Sequence, residues 1–96
     1  MNINWQEIKE KNPKALNKFG EFSEVNKYMV EHGIYINICY CDLEEFFDDI
    51  GIDLLELLIK IKNYCKKDEF PFHKKLAKEQ AIYKAFEIFE EQLKDK

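Results

Sequence analysis

Gly20, Gly33, Gly51, Pro13 and Pro71 are the only glycines and prolines in this 96-residue chain. Each limits how far a helix or strand can run, so these five positions set the lengths of the regular segments. Asn4 caps a first helix in which Trp5 and Ile8 face inward, with Leu16 and Phe19 further along the same pattern. Pro13 breaks it near Lys11-Asn12 and opens a second short helix, which Gly20 stops. Ser23 caps a helix over 24–31, with Val25, Tyr28 and Met29 on one face, and His32-Gly33 closes it.

Residues 34–41 alternate as a strand does. Ile34, Ile36, Ile38 and Tyr40 fall on one face; Asn37, Cys39 and Cys41 fall on the other. Asp42-x-x-Glu45 reads as a capping box opening a short acidic helix that Gly51 ends. Asp53-x-x-Glu56 repeats the pattern. Leu54, Leu57, Leu58, Ile61, Tyr64 and Cys65 then recur at helical spacing to about Lys66, although 57–64 also alternates well enough for a strand. A loop around Pro71 spans 68–72. The last helix covers 74–93, with Ala81, Ile82, Ala85, Phe86, Phe89 and Leu93 inward and Lys78, Lys84, Glu87, Glu91 and Lys94 outward. The expectation is a single α+β domain over 1–96, predominantly α-helical, with one strand at 34–41. Trp5, Phe46, Phe47, Phe86 and Phe89 are its expected core.

Composition enters through charge. Between Asp42 and Ile59 there are seven carboxylates and no basic residue: Asp42, Glu44, Glu45, Asp48, Asp49, Asp53 and Glu56. From Lys60 to Lys78 there are seven lysines against Asp68 and Glu69. Leu43, Phe46, Phe47 and Ile50 share one helical stripe, while Glu44, Glu45, Asp48 and Asp49 share the opposite side. Asp42, Glu44, Glu45, Asp48, Asp49 and Asp53 are therefore candidate partner-binding residues, able to occupy a Lys/Arg-lined groove built for RNA or DNA. A solvated helix face explains the same run without a partner.

Lys60, Lys62, Lys66, Lys67, Lys74, Lys75 and Lys78 are candidate nucleic-acid contacts, with Tyr64, Phe70 and Phe72 placed to stack on bases. The net charge of −4 and the absence of arginine both oppose strong binding. Cys39, Cys41, Cys65 and His73 carry zinc-ligand chemistry but match no common finger spacing, so neither metal nor cofactor is expected. Ser23 is the only serine and threonine is absent, which leaves little for nucleophilic catalysis and favours a non-enzymatic protein. An odd cysteine count without an export signal points to a reducing, cytoplasmic compartment. The longest mainly apolar run, 54–61, is too short to span a bilayer.

Three segments carry a resemblance. Residues 5–15 (WQEIKEKNPKA), 42–52 (DLEEFFDDIGI) and 79–91 (EQAIYKAFEIFEE) make up a little over a third of the chain. Together they resemble small proteins of phages and mobile elements of low-GC bacteria. The resemblance implies an α+β fold with strands after Gly51-Ile52, a point at which this sequence reads as helix. Short acidic phage proteins of this kind include inhibitors of host defence, notably anti-CRISPR proteins. By that analogy the chain binds and inhibits a host protein, a CRISPR effector or another nucleic-acid enzyme. The alternatives are a small nucleic-acid-associated regulator using 60–78, and an oligomeric accessory protein that pairs edge strands.

Overall fold

Asn4, Ser23 and Asp53 each start a helix by accepting backbone N–H groups that no helical carbonyl can reach. The computed structural model describes residues 3–35, 38–64 and 70–94, and the side chains of all of these except 62–64 and 70–76. Asn4 Oδ1 accepts from the Glu7 amide at 3.1 Å and opens α1, Trp5–Lys11. Pro13 occupies the first position of α2, Pro13–Glu21, where its missing N–H is no loss. Ser23 Oγ accepts from the Asn26 amide at 3.1 Å and opens α3, Glu24–His32, which Gly33 closes at φ 67°. Asp53 Oδ1 accepts from the Leu55 and Glu56 amides at 2.9 and 3.3 Å, at the start of α5, Leu54–Tyr64. Between them lies α4, Tyr40–Asp49.

The last helix, α6, runs Phe70–Lys94. Its 25 residues span about 38 Å, close to the 41 Å long axis of the molecule. It packs against α1, α2 and α5. Its inward stripe is Ala81, Ile82, Ala85, Phe86 and Phe89, all buried as the helical spacing predicts. Phe86 meets Trp5, Phe19 and Phe47 edge-on at 5.9, 6.1 and 5.0 Å between ring centres. Leu16, Leu43 and Phe46 complete this aromatic core, and Leu58 packs on Ala77 and Ala81 in a second cluster.

Two hydrogen bonds tie α6 to the start of the chain. The Asn4 amide donates to the Tyr83 hydroxyl at 2.6 Å. The Ala15 amide donates to Glu90 Oε1 at 2.9 Å in a buried setting. Asn12, the N-cap of α2, makes no side-chain cap. Glu90 therefore caps α2 from another helix, and its negative charge suits the positive end of that helix.

The α+β expectation is overturned: among the described residues there are six helices and no strand. Ile34, Tyr35, Ile38 and Cys39 have no regular structure, and Tyr40 and Cys41 begin α4; Ile36 and Asn37 lie outside the described residues. A lone strand leaves its N–H and C=O groups unpaired, and no described segment pairs with this one. Tyr40 also lies three residues before Leu43 on the inward stripe of α4, so helix packing claims it. For the same reason the capping box is displaced. The N-cap of α4 is Cys39, and Asp42 sits inside the first turn.

Three smaller expectations also change. Residues 70–72 belong to α6 rather than to a loop, with Pro71 at its second position; Asp68 and Glu69 lie outside the described residues. Trp5 is half-buried rather than enclosed, stacked on Tyr35 at 4.8 Å. Gly20 does not stop α2 but lies within it, buried against Val30.

A Cβ on Gly20 would stand 3.2 Å from Val30 Cβ. That atom is fixed by the backbone, so no rotamer change relieves the contact and α2 must move from α3. Overpacking of about 1–3 kcal/mol outweighs the roughly 1 kcal/mol gained in helix propensity. Gly20→Ala is expected to lower stability by about 1 kcal/mol in urea melts; a more stable variant would mean the α2–α3 contact is loose.

Candidate partner-binding surface

The acidic helix divides as its spacing predicts. Leu43, Phe46 and Phe47 are buried and Ile50 is half-buried, whereas Asp42, Glu44, Glu45, Asp48 and Asp49 are exposed. Phe46 lies 5.2 Å from Phe19 and Phe47 lies 5.0 Å from Phe86, both edge-on, which fixes the rotation of the helix. Gly51, at φ 82°, ends α4. The Ile52 amide donates to Phe47 O at 2.8 Å and the Gly51 amide to Asp48 O at 3.0 Å, a Schellman closure.

The acids are poorly placed for stability. Asp42 suits the first turn, but Asp48 and Asp49 occupy the last, where the helix end is already negative and no basic residue sits. Glu44 precedes Asp48 by four residues, and Glu45 precedes Asp49 likewise; like charges at that spacing repel. Among the described residues, none of the five α4 acids is in an ion pair.

Asp53 has a structural task as the cap of α5, and Glu56 pairs with Lys60 at 3.4 Å. Asp53 nevertheless faces the same groove as Glu44, Glu45 and Asp48, floored by Ile52 and Leu54. On its other flank the acidic face meets α3. Phe22, Val25, Tyr28 and Met29 line a second groove there, with Asp42 and Glu45 at its edge. Val25 is 68% exposed and Tyr28 55%, so α3 offers apolar surface beside the charge. The spacing of Val25, Tyr28 and Met29 points to an inward face; of these, only Met29 is buried.

Of the seven lysines between Lys60 and Lys78, only Lys60 and Lys78 have described side chains. Lys60 is engaged by Glu56, and Lys78 lies 5.2 Å over the Tyr40 ring, beside the acidic helix. The side chains of Lys62, Lys74 and Lys75, and all of Lys66 and Lys67, lie outside what is described, as do the rings of Tyr64, Phe70 and Phe72.

Burial raises the Tyr35 and Tyr40 hydroxyls above the ordinary tyrosine pKa; for Tyr40 the Glu44 and Asp53 charges add to it. Cys39 and Cys41 are joined by a disulfide, which the sequence reading did not anticipate. Their sulfurs and an Asp42 oxygen lie within 4.8 Å of one another, but bonded sulfurs are not thiolate ligands. Cys65 and the His73 side chain lie outside the described residues. Among the described residues, no helix is long and apolar enough to cross a membrane. Comparisons with protein-family models, curated proteins and solved structures find no match to this chain.

Proposed function

We propose that this chain is a non-enzymatic binding protein that presents the exposed acids of α4 to a basic groove on a host protein. The observation that carries this reading is the misfit of those acids with their own helix. Asp48 and Asp49 oppose the helix dipole, and both stand four residues after another acid. Charges that cost local stability and have no ion-pair partner among the described residues are the mark of a surface kept for something outside the chain. The apolar flank of Phe22, Val25 and Tyr28 supports the reading, since specific interfaces join an apolar centre to a charged rim. The resemblance to small phage proteins supports the narrower form, an inhibitor of a nucleic-acid-guided effector nuclease whose groove the carboxylates fill in place of phosphates.

Stability and binding separate in one variant. In Asp48→Lys/Asp49→Lys each new lysine stands four residues after a glutamate, the favourable order, and at the favourable end of the dipole. The double variant is expected to unfold at about 1 kcal/mol higher free energy and to lose the partner that the native chain captures from a host lysate. Unchanged capture by the variant would reject the acidic face as the binding surface. Sub-micromolar binding of naked RNA or DNA by the native chain would favour the lysine-based regulator instead.

A further inference from the structure

The Cys39–Cys41 disulfide encloses one intervening residue, Tyr40, within the first turn of α4. A cross-link stabilises chiefly by restricting the unfolded chain, and that effect shrinks with the loop it closes. This one ties no two elements together, so stapling the fold is a poor account of it. Its surroundings suit exchange chemistry. Cys39 and Cys41 are both exposed, so an incoming thiol can reach the bond. Cys39 is also the N-cap of α4, yet no side chain there accepts a first-turn N–H, as those of Asn4 and Ser23 do for α1 and α3. Opening the bridge supplies the missing acceptor: a thiolate at a helix N-terminus is stabilised by those N–H groups. The Asp42 carboxylate, close to both sulfurs, works against that charge and keeps the reduced pair from being one-sidedly favoured.

We propose that Cys39 and Cys41 form a reversible dithiol–disulfide pair that exchanges with small monothiols of the glutathione class. A glutathione thiolate attacks Cys41 Sγ, the S–S bond breaks, and Cys39 leaves as the thiolate held at the cap. A second glutathione thiolate attacks the mixed disulfide, and Cys41 leaves and takes up a proton. The products are the protein dithiol and one glutathione disulfide, a two-electron exchange. Two residues just before the pair, Tyr35 and Ile38, pack on the core. Tyr35 stacks on Trp5, the only tryptophan, at 4.8 Å and 9° between planes. Moving the Cys39 sulfur from the bridge to the cap acts one residue from Ile38 and four from Tyr35, which makes Trp5 emission a reporter. The inference stands apart from partner binding by the acidic face.

The test equilibrates the folded protein in buffers of graded reduced-to-oxidised glutathione, quenches in acid, alkylates, and maps the peptide holding Cys39 and Cys41 apart from Cys65. That peptide is expected to pass from no alkyl groups to two in a single step, with Trp5 emission changing in the same step. Thermal melts of the two forms are expected to lie within a few degrees of each other. Cys39→Ser is expected to abolish the step, leaving Cys41 free or carrying one glutathione. A bond that opens only in denaturant would overturn the proposal by making it a structural staple. A native chain that accumulates glutathione adducts and never the internal bond would overturn it equally.

Discussion

Phe86→Ala is expected to cost about 3–5 kcal/mol of unfolding free energy. Phe86 is wholly buried on α6 and meets rings from three other helices: Trp5 on α1, Phe19 on α2 and Phe47 on α4. Deleting the ring removes its burial and its edge-to-face contacts together. The cavity cannot close readily, because its walls belong to helices anchored separately. A domain of this size holds about 5–15 kcal/mol in all, so the variant stands near the limit of folding. Lys84→Ala, on the exposed side of the same helix, is expected to cost less than about 0.5 kcal/mol, since its partner Glu87 is an exposed contact at 3.9 Å. Urea melts followed by far-ultraviolet dichroism separate the two. Equal losses would mean that α6 is rotated from the arrangement described.

The second large effect belongs to Glu90, a carboxylate with 3% of its surface exposed. It is the acceptor for the Ala15 amide at the start of α2, where Asn12 supplies no side-chain cap. Glu90→Ala removes a charged acceptor and leaves a buried amide unsatisfied, an expected loss of about 2–3 kcal/mol. Glu90→Gln keeps an acceptor oxygen at the same reach and is expected to lose about half as much. The Ala15 amide resonance checks the assignment, moving in Glu90→Ala and not in Glu87→Ala. A stable Glu90→Ala chain with an unmoved Ala15 resonance would show that the cap does not form.

The caps were legible because they are local. Asn4, Ser23 and Asp53 act on amides two or three residues away, and Gly33 and Gly51 take the positive φ that ends a helix. The inward stripes of α4 and α6 were legible for the same reason, and with them the split between buried phenylalanines and exposed acids. What failed depends on residues distant in the chain. Alternation over 34–41 is a strand signal only if another strand pairs with it, and that is a tertiary condition. Tyr40 counts equally well toward that alternation and toward the stripe through Leu43 and Phe47, and packing on the core decided for the stripe. Gly20 looked like a helix stop because its neighbour, Val30, lies on another helix. Glu90 went unnoticed although it stands four residues after Phe86 on the inward side of α6, a position at which a carboxylate signals an internal task. The apolar surface of Val25 and Tyr28 was misread because helical spacing defines a face without saying what covers it.

The bonds from Asn4 to Tyr83 and from Ala15 to Glu90 close loops of 79 and 75 residues. They set an order of events during synthesis. α1 and α2 have seven and nine residues, too short to persist alone in water. They leave the ribosome before α6, which carries the side chains that bond to Asn4 and Ala15. α2 can pack on α3 beforehand, but the main core includes Ile82, Ala85, Phe86 and Phe89 of α6, so its closure is a late, cooperative step that follows the arrival of one long helix.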